Sequence, residues 1–160
     1  MAQVMTLFNL NLNLNLLFIF SMFLLFSSIE ARGIKYCDKK GNYPVKVQEV
    51  EISPDPVVSG NPATFNISAS TVQALSGGKV VIDVSYFGVH VHKETHDLCE
   101  ETSCPISSGN FVLSHTQTLP AITPPGSYTL KMTMTDKNKQ KLTCITFNFK
   151  IGIGSLVSDH

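Results

Sequence analysis

Apolar and polar side chains that alternate with a period of two constrain this chain more than any other feature, because successive residues point to opposite faces only in an extended strand. Tyr128, Leu130, Met132 and Met134 are interleaved with Thr129, Lys131, Thr133 and Thr135, the pattern of a strand with one buried and one wet face. The pattern returns in Ile145, Phe147, Phe149 and Ile151 against Cys144, Thr146, Asn148 and Lys150. The polar stretch 136–139 between them is the expected hairpin connection. Further strands are predicted at residues 45–52, 64–72, 79–91 and 110–119, with turns at 53–61, 76–78 and 121–126. About six or seven strands at this spacing predict an all-β chain folded as a two-sheet sandwich.

The N-terminal segment stands apart from this pattern. Residues 16–26 are almost purely apolar, Ser27 and Ser28 follow, and Ala31 is a small residue at a plausible cleavage point. Residues 1–31 are therefore read as a signal peptide and 32–160 as a single domain. A membrane anchor is the poorer reading, since a spanning helix needs about 20 apolar residues and backward extension meets Asn15, Asn13, Asn11 and Asn9. The segment departs from the usual signal in carrying no Lys or Arg ahead of its apolar run. Removing it takes away Glu30 and leaves twelve basic residues against eleven acidic ones. That near-neutral balance lacks the concentrated basic face that nucleic acid requires and any polybasic membrane patch.

An exported chain oxidises its thiols. The four cysteines, Cys37, Cys99, Cys104 and Cys144, admit three pairings. Chain geometry ranks first the short loop closed by Cys99 and Cys104, which leaves Cys37 for Cys144. Alternation places Cys144 opposite Ile145 and Phe147, so that bridge is expected outside the main core. An antibody-type domain, whose disulfide crosses between sheets beside a buried Trp, is disfavoured because the chain has no Trp. The spacing is also not the paired C-x-x-C arrangement of a zinc site. The sequon Asn66-Ile67-Ser68 agrees with the strand reading: with Phe65, Ile67 and Ala69 turned inward, Asn66 faces solvent, where a glycan could be attached.

Several short motifs occur in a characteristic order: a Cys just after the signal, Tyr86-Phe87-Gly88-Val89-His90-Val91, the loop from Asp97-Leu98-Cys99 to Cys104-Pro105, Leu119-Pro120, Pro124-Pro125-Gly126 and a last-strand Cys144. In this order they resemble the ML lipid-recognition domain. That is the family of the secreted Niemann-Pick type C sterol carrier, the group 2 mite allergens and the plant phosphatidylglycerol/phosphatidylinositol transfer proteins, with the plant branch the nearer likeness. The resemblance covers nearly all of the chain after the signal. It implies an immunoglobulin-like β-sandwich with a lipid held between splayed sheets, a mouth near Phe87, Val89, Val91, Phe111 and Leu113, and a cavity wall from Tyr128, Leu130, Met132, Phe147 and Phe149. Taken singly, Phe65, Ile67, Val80, Ile82, Val84 and the Tyr128 to Met134 stripe read as ordinary core. Two features depart from the animal relatives: a third disulfide is absent, and His90 and His92 alternate with Val89 and Val91 where those relatives have prolines and a phenylalanine. Ligand identity therefore does not carry over from sterol binding.

The histidines raise a second function class. His90-x-His92, with His96 and either Glu94 or Asp97, could assemble a zinc or copper site. If Val89 and Val91 point inward, however, His90 and His92 are solvated surface. No G-x-S-x-G elbow is present for a serine hydrolase, and a plain adhesion or defence-signalling module is the third reading. The expectation is thus a monomeric, non-enzymatic lipid carrier without metal or cofactor, secreted or vacuolar. Its partners would be a sterol or phospholipid, a transiently touched membrane and a receptor or acceptor protein, with no nucleic acid.

Overall fold

A computed structural model of the chain describes residues 33–153; the signal peptide expected at 1–31 lies outside the described residues. The strands are β1 (Lys35–Tyr36), β2 (Val45–Ser53), β3 (Val57–Val58), β4 (Pro62–Thr71), β5 (Gly78–Tyr86), β6 (Val89–Asp97), β7 (Gly109–Thr118), β8 (Gly126–Asp136) and β9 (Lys141–Gly152), with one helical turn, α1 (Leu98–Glu101), between β6 and β7. They form two sheets. The larger runs β1-β9-β8-β5-β6, with β3 added parallel to β9, and the smaller runs β2-β4-β7. Apart from β3, all pairings are antiparallel. The fold is therefore the two-sheet sandwich that the alternation predicts.

Alternation fixes which side chains meet between the sheets. Val80, Ile82, Leu130, Met132, Met134, Ile145 and Phe147 come from the larger sheet and Val45, Ile52, Phe65, Ile67, Ala69 and Leu113 from the smaller, all buried in one core. Burying each large apolar side chain contributes about 1.5–3 kcal/mol. On β4, Phe65, Ile67 and Ala69 are buried while Asn66 and Ser68 lie half-buried on the outer face. There the Asn66 carboxamide oxygen accepts a hydrogen bond of 2.8 Å from the Ser114 hydroxyl on β7.

The predicted strand at 79–91 is in fact a hairpin. Phe87 and Gly88 form its two-residue connection, with φ of 48° and 78°, the doubly positive pair that matches strand twist in tight hairpins. Gly88 adopts this conformation without cost, whereas Phe87 does so against its Cβ. An apolar residue at a turn is what extended the strand in the sequence reading. The turn at 53–61 likewise contains β3, whose Val57 is fully buried.

Cys37 is bonded to Cys144 and Cys99 to Cys104. β1 makes the first bridge geometrically available, since it pairs Tyr36 with Ile145 and the Cys37 amide donates to the Cys144 carbonyl at 3.0 Å. The bridge lies on the outer face, away from the core cluster, yet Cys144 is buried. Closing a loop across 107 residues stabilises the fold by about 4–5 kcal/mol in the chain-entropy account. The neighbouring Tyr36 ties the sheets together: its hydroxyl accepts from the Val47 amide at 2.9 Å and donates to the Val47 carbonyl at 3.3 Å. The second bridge brackets α1. Asp97 caps this turn by accepting from the Cys99 amide at 2.9 Å, and the Glu100 carboxylate accepts from the Asp97 amide, completing a capping box.

Candidate functional site: a cavity at one end of the sandwich

The sheets close on each other at one end and separate at the other. Along β5, Val80 is fully buried, whereas Ile82, Val84 and Tyr86 line a cavity of about 450 Å³. Along β8 the order is Met134 and Met132 in the closed end, then Leu130 and Tyr128 on the cavity wall. β9 behaves alike, with Ile145 and Phe147 closed, then Phe149 and Ile151 lining, and β4 contributes Phe65. The register explains this agreement, because Tyr86 pairs with Tyr128 and Tyr128 with Phe149, so a row of residues across three neighbouring strands reaches the opening together.

An aromatic ladder builds the wall. Phe65 meets Phe149 edge-on at 5.5 Å, Phe149 stacks on Tyr128 at 5.6 Å and Tyr128 on Tyr86 at 4.5 Å. Both tyrosines direct their polar ends to the loop that roofs the cavity, donating to the Pro124 carbonyl at 2.7 Å and the Pro125 carbonyl at 3.2 Å. Burial, together with the neighbouring Tyr86, pushes the Tyr128 hydroxyl above its usual pKa, so it remains a neutral donor. Leu119, Pro120, Ile122, Thr123 and Pro124 complete the roof. Ile122 is 91% exposed, as is Phe87 to 84% at the adjoining hairpin tip. Phe87 packs on Tyr86 with ring centroids 4.5 Å apart.

Of the ten residues assigned to the cavity and its mouth, Val91, Tyr128, Leu130 and Phe149 line it. Met132, Phe147 and Leu113 are instead buried in the closed core, and Phe111 is half-buried against that core. Phe111 and Leu113 therefore do not line this cavity. β7 opens onto the cavity further along the same inward face, at His115 and Gln117. Phe87 and Val89 sit exposed at the hairpin tip beside it. The roof at 119–124 spans the end of the predicted strand at 119, the Leu119-Pro120 motif and part of the predicted turn at 121–126, none of which the sequence assigns to the cavity; Ile122, an apolar residue stranded among turn residues, is the signal in the sequence.

The histidines also move. A bulge between Val84 and Ser85 leaves Ser85 opposite His90 and Val84 opposite His92, with Val91 the extra residue. The strict alternation that sent both histidines outward thus breaks between them. His90 stays outside, 2.9 Å from Asp83, whereas Val91 and His92 both line the cavity. Beyond the bulge, Glu94 and His96 lie opposite the buried Ile82 and Val80 and share their inner face. There they meet His115 from β7 and Glu101 from α1, two residues that the sequence reading did not select. His115 is 5% exposed. It stands two positions beyond inward-facing Leu113, and that phase marked it as buried. Asp97 serves as the helix cap.

Glu94 is the centre of this group. Its Oε2 lies 3.3 Å from His92 Nε2 and 3.4 Å from His96 Nε2, and its Oε1 lies 3.0 Å from His115 Nε2. Burial pushes the Glu94 carboxyl upward, but the His92 hydrogen bond and the positive charge that His115 and His96 carry when protonated outweigh it. The net result is a pKa below the ordinary 4.5.

Residues 32–151 match the ML domain family. The chain is 32% identical over 116 residues to a putative phosphatidylglycerol/phosphatidylinositol transfer protein of Dictyostelium discoideum, covering 70% of this chain and 80% of the relative. It is 35% identical over 147 residues to the MD-2-related lipid-recognition protein ROSY1 of Arabidopsis thaliana, covering 84% and 88%. Among solved structures, a Niemann-Pick type C2 protein from the Japanese carpenter ant superposes with a TM-score of 0.60 at 16% identity, over 74% of this chain and 98% of that one, a likeness of fold. By the span of the family match and by these relatives, the chain belongs to the ML domain family.

Proposed function

We propose that this protein is a lipid carrier that takes up the apolar part of a phospholipid or sterol between its two sheets and leaves the polar part at the mouth. The observation that carries this reading is the cavity of about 450 Å³ at the splayed end, walled by Phe65, Leu130, Tyr128 and Phe149. A packed sandwich has no such space, since its sheets interdigitate about 10 Å apart. Each 100 Å² of lipid surface removed from water contributes about 2.5 kcal/mol, enough to offset extraction from a bilayer when most of one chain is covered. The relatives named as phosphatidylglycerol/phosphatidylinositol transfer proteins favour a phospholipid as cargo.

The exposed Phe87, Val89 and Ile122 surround the mouth with apolar surface, which suits brief contact with a membrane during loading. No covalent step is needed. The two disulfides suit an exported or vacuolar protein whose residues 1–31 act as the signal and whose Asn66 carries a glycan on the outer face. The reading is tested by native mass spectrometry of the protein purified from its secretory compartment. One lipid per chain, recovered by solvent extraction, is the expected result; a chain that stays lipid-free after incubation with phospholipid and sterol vesicles would leave an adhesion module as the better account.

A further inference from the structure

We propose that Glu94, His96 and His115 form a binding site for one divalent transition-metal ion of the zinc class, which ties the edges of the two sheets together beside the cavity. β6 is the edge strand of the larger sheet and β7 the edge strand of the smaller. Belonging to different sheets, these edges share no ladder. Glu94 and His96 on β6 meet His115 on β7 across that gap, and their donor atoms lie within 4.8 Å of one another.

The two imidazoles are turned the same way. Each points Nδ1 at Glu101, which lies 3.1 and 3.2 Å from His115 Nδ1 and 3.5 Å from His96 Nδ1. Each points Nε2 at Glu94. A carboxylate that accepts from Nδ1–H fixes the tautomer and leaves a lone pair on Nε2, the arrangement found behind metal-bound histidines. Both Nε2 atoms are buried and make no hydrogen bond, although Glu94 oxygens approach to 3.0 and 3.4 Å. The distance suffices but the direction does not.

A buried ring nitrogen without a hydrogen bond is costly. Two of them converging on one carboxylate oxygen pair are satisfied together by a cation between them. Two imidazoles and one carboxylate make a three-ligand set that suits zinc at about 2.0–2.2 Å with one position left open. Ligand atoms around such an ion stand about 3.4 Å apart, so loading keeps the 3.0 and 3.4 Å carboxylate approaches nearly as they are and draws together any donors at the 4.8 Å limit by about 1.4 Å. Glu94 and His115 also line the cavity, so the open position faces that side. Glu101 acts as a positioning residue through both Nδ1 atoms.

The test uses the full mature chain, stripped with chelator and titrated with zinc by calorimetry, with bound metal counted by elemental mass spectrometry. The expected result is one zinc per chain and a rise in melting temperature on loading. His115→Gln and Glu94→Gln should lose stoichiometric binding, Glu101→Gln should weaken it about 10–100-fold, and His90→Gln, on the outer face, should leave it unchanged. Cobalt substitution of the wild-type chain should give the intense visible bands of a four-coordinate nitrogen and oxygen site, a readout that does not depend on any variant folding. Absence of stoichiometric zinc in the wild type, uptake that survives both ligand substitutions, or a six-coordinate cobalt spectrum would overturn the proposal. None of these measurements involves lipid, so their outcome is independent of the carrier reading.

Discussion

Val80 and Val84 make a matched pair of probes for the splayed end. Both lie on β5, four residues apart on the same inner face; Val80 is 0% exposed in the closed end and Val84 lines the cavity. Enlarging each to Phe adds the same atoms to two different surroundings. At Val80 the new ring enters a close-packed core, where excess volume forces strained rotamers and backbone shifts costing about 1–3 kcal/mol. At Val84 the ring extends into open space beside Tyr128 and Leu130 and gains apolar contact, so the expected stability change is within about 0.5 kcal/mol of zero. With a urea m-value of about 2 kcal/mol/M, a loss of about 2 kcal/mol moves the unfolding midpoint of Val80→Phe down by about 1 M, while Val84→Phe stays near wild type. Binding of a fluorescent phospholipid should show the reverse order, with Val84→Phe displacing ligand and Val80→Phe retaining uptake while folded. Equal midpoint shifts for the two variants, with equal binding, would refute the claim that the sheets separate at Val84.

Three further outcomes follow from particular contacts. Tyr36→Phe removes the hydroxyl that both accepts from and donates to Val47; leaving a partly buried amide unpaired should cost about 1–2 kcal/mol, read as a lowered midpoint in urea. Phe87→Ser together with Ile122→Ser should leave the melting temperature within a few degrees of wild type yet slow lipid transfer between vesicles, because both side chains are exposed and contribute little to the core. Since the Glu94 carboxyl titrates below 4.5 in the folded chain, the unfolded chain binds the extra proton first as pH falls. Its stabilising contribution is therefore present above about pH 4.5 and is lost as pH drops through the lowered value. In metal-free protein, Glu94→Gln should flatten that acid limb of the stability curve.

The fold was legible in the sequence wherever one face of a strand is buried and the other wet, as in β4, β8 and β9, because side-chain period and burial then coincide. Legibility failed where local chemistry opposed the pattern. Phe87 is apolar but occupies a turn, so two strands read as one. The bulge at Val91 shifts the phase by one residue and carries His92, Glu94 and His96 to the inner face, which no periodicity argument across 79–91 could reveal. The cavity wall was only partly legible, since Leu130 and Met132 look alike as sequence. Whether such a residue borders space or core depends on how far it lies from the splayed end. The Glu94, His96, Glu101 and His115 cluster was hidden because His115, on β7, joins the other three only where the edges of the two sheets meet.

The central claim, that a lipid occupies the splayed end and not the closed one, is tested most directly by a photoreactive acyl phospholipid loaded into the protein, irradiated and mapped by peptide mass spectrometry. Crosslinks are predicted on Val84, Tyr86, Tyr128, Leu130, Phe149 and the roof at 119–124. Crosslinks confined to Phe111, Leu113 and Met132, or scattered over the outer faces of the sheets, would contradict the account.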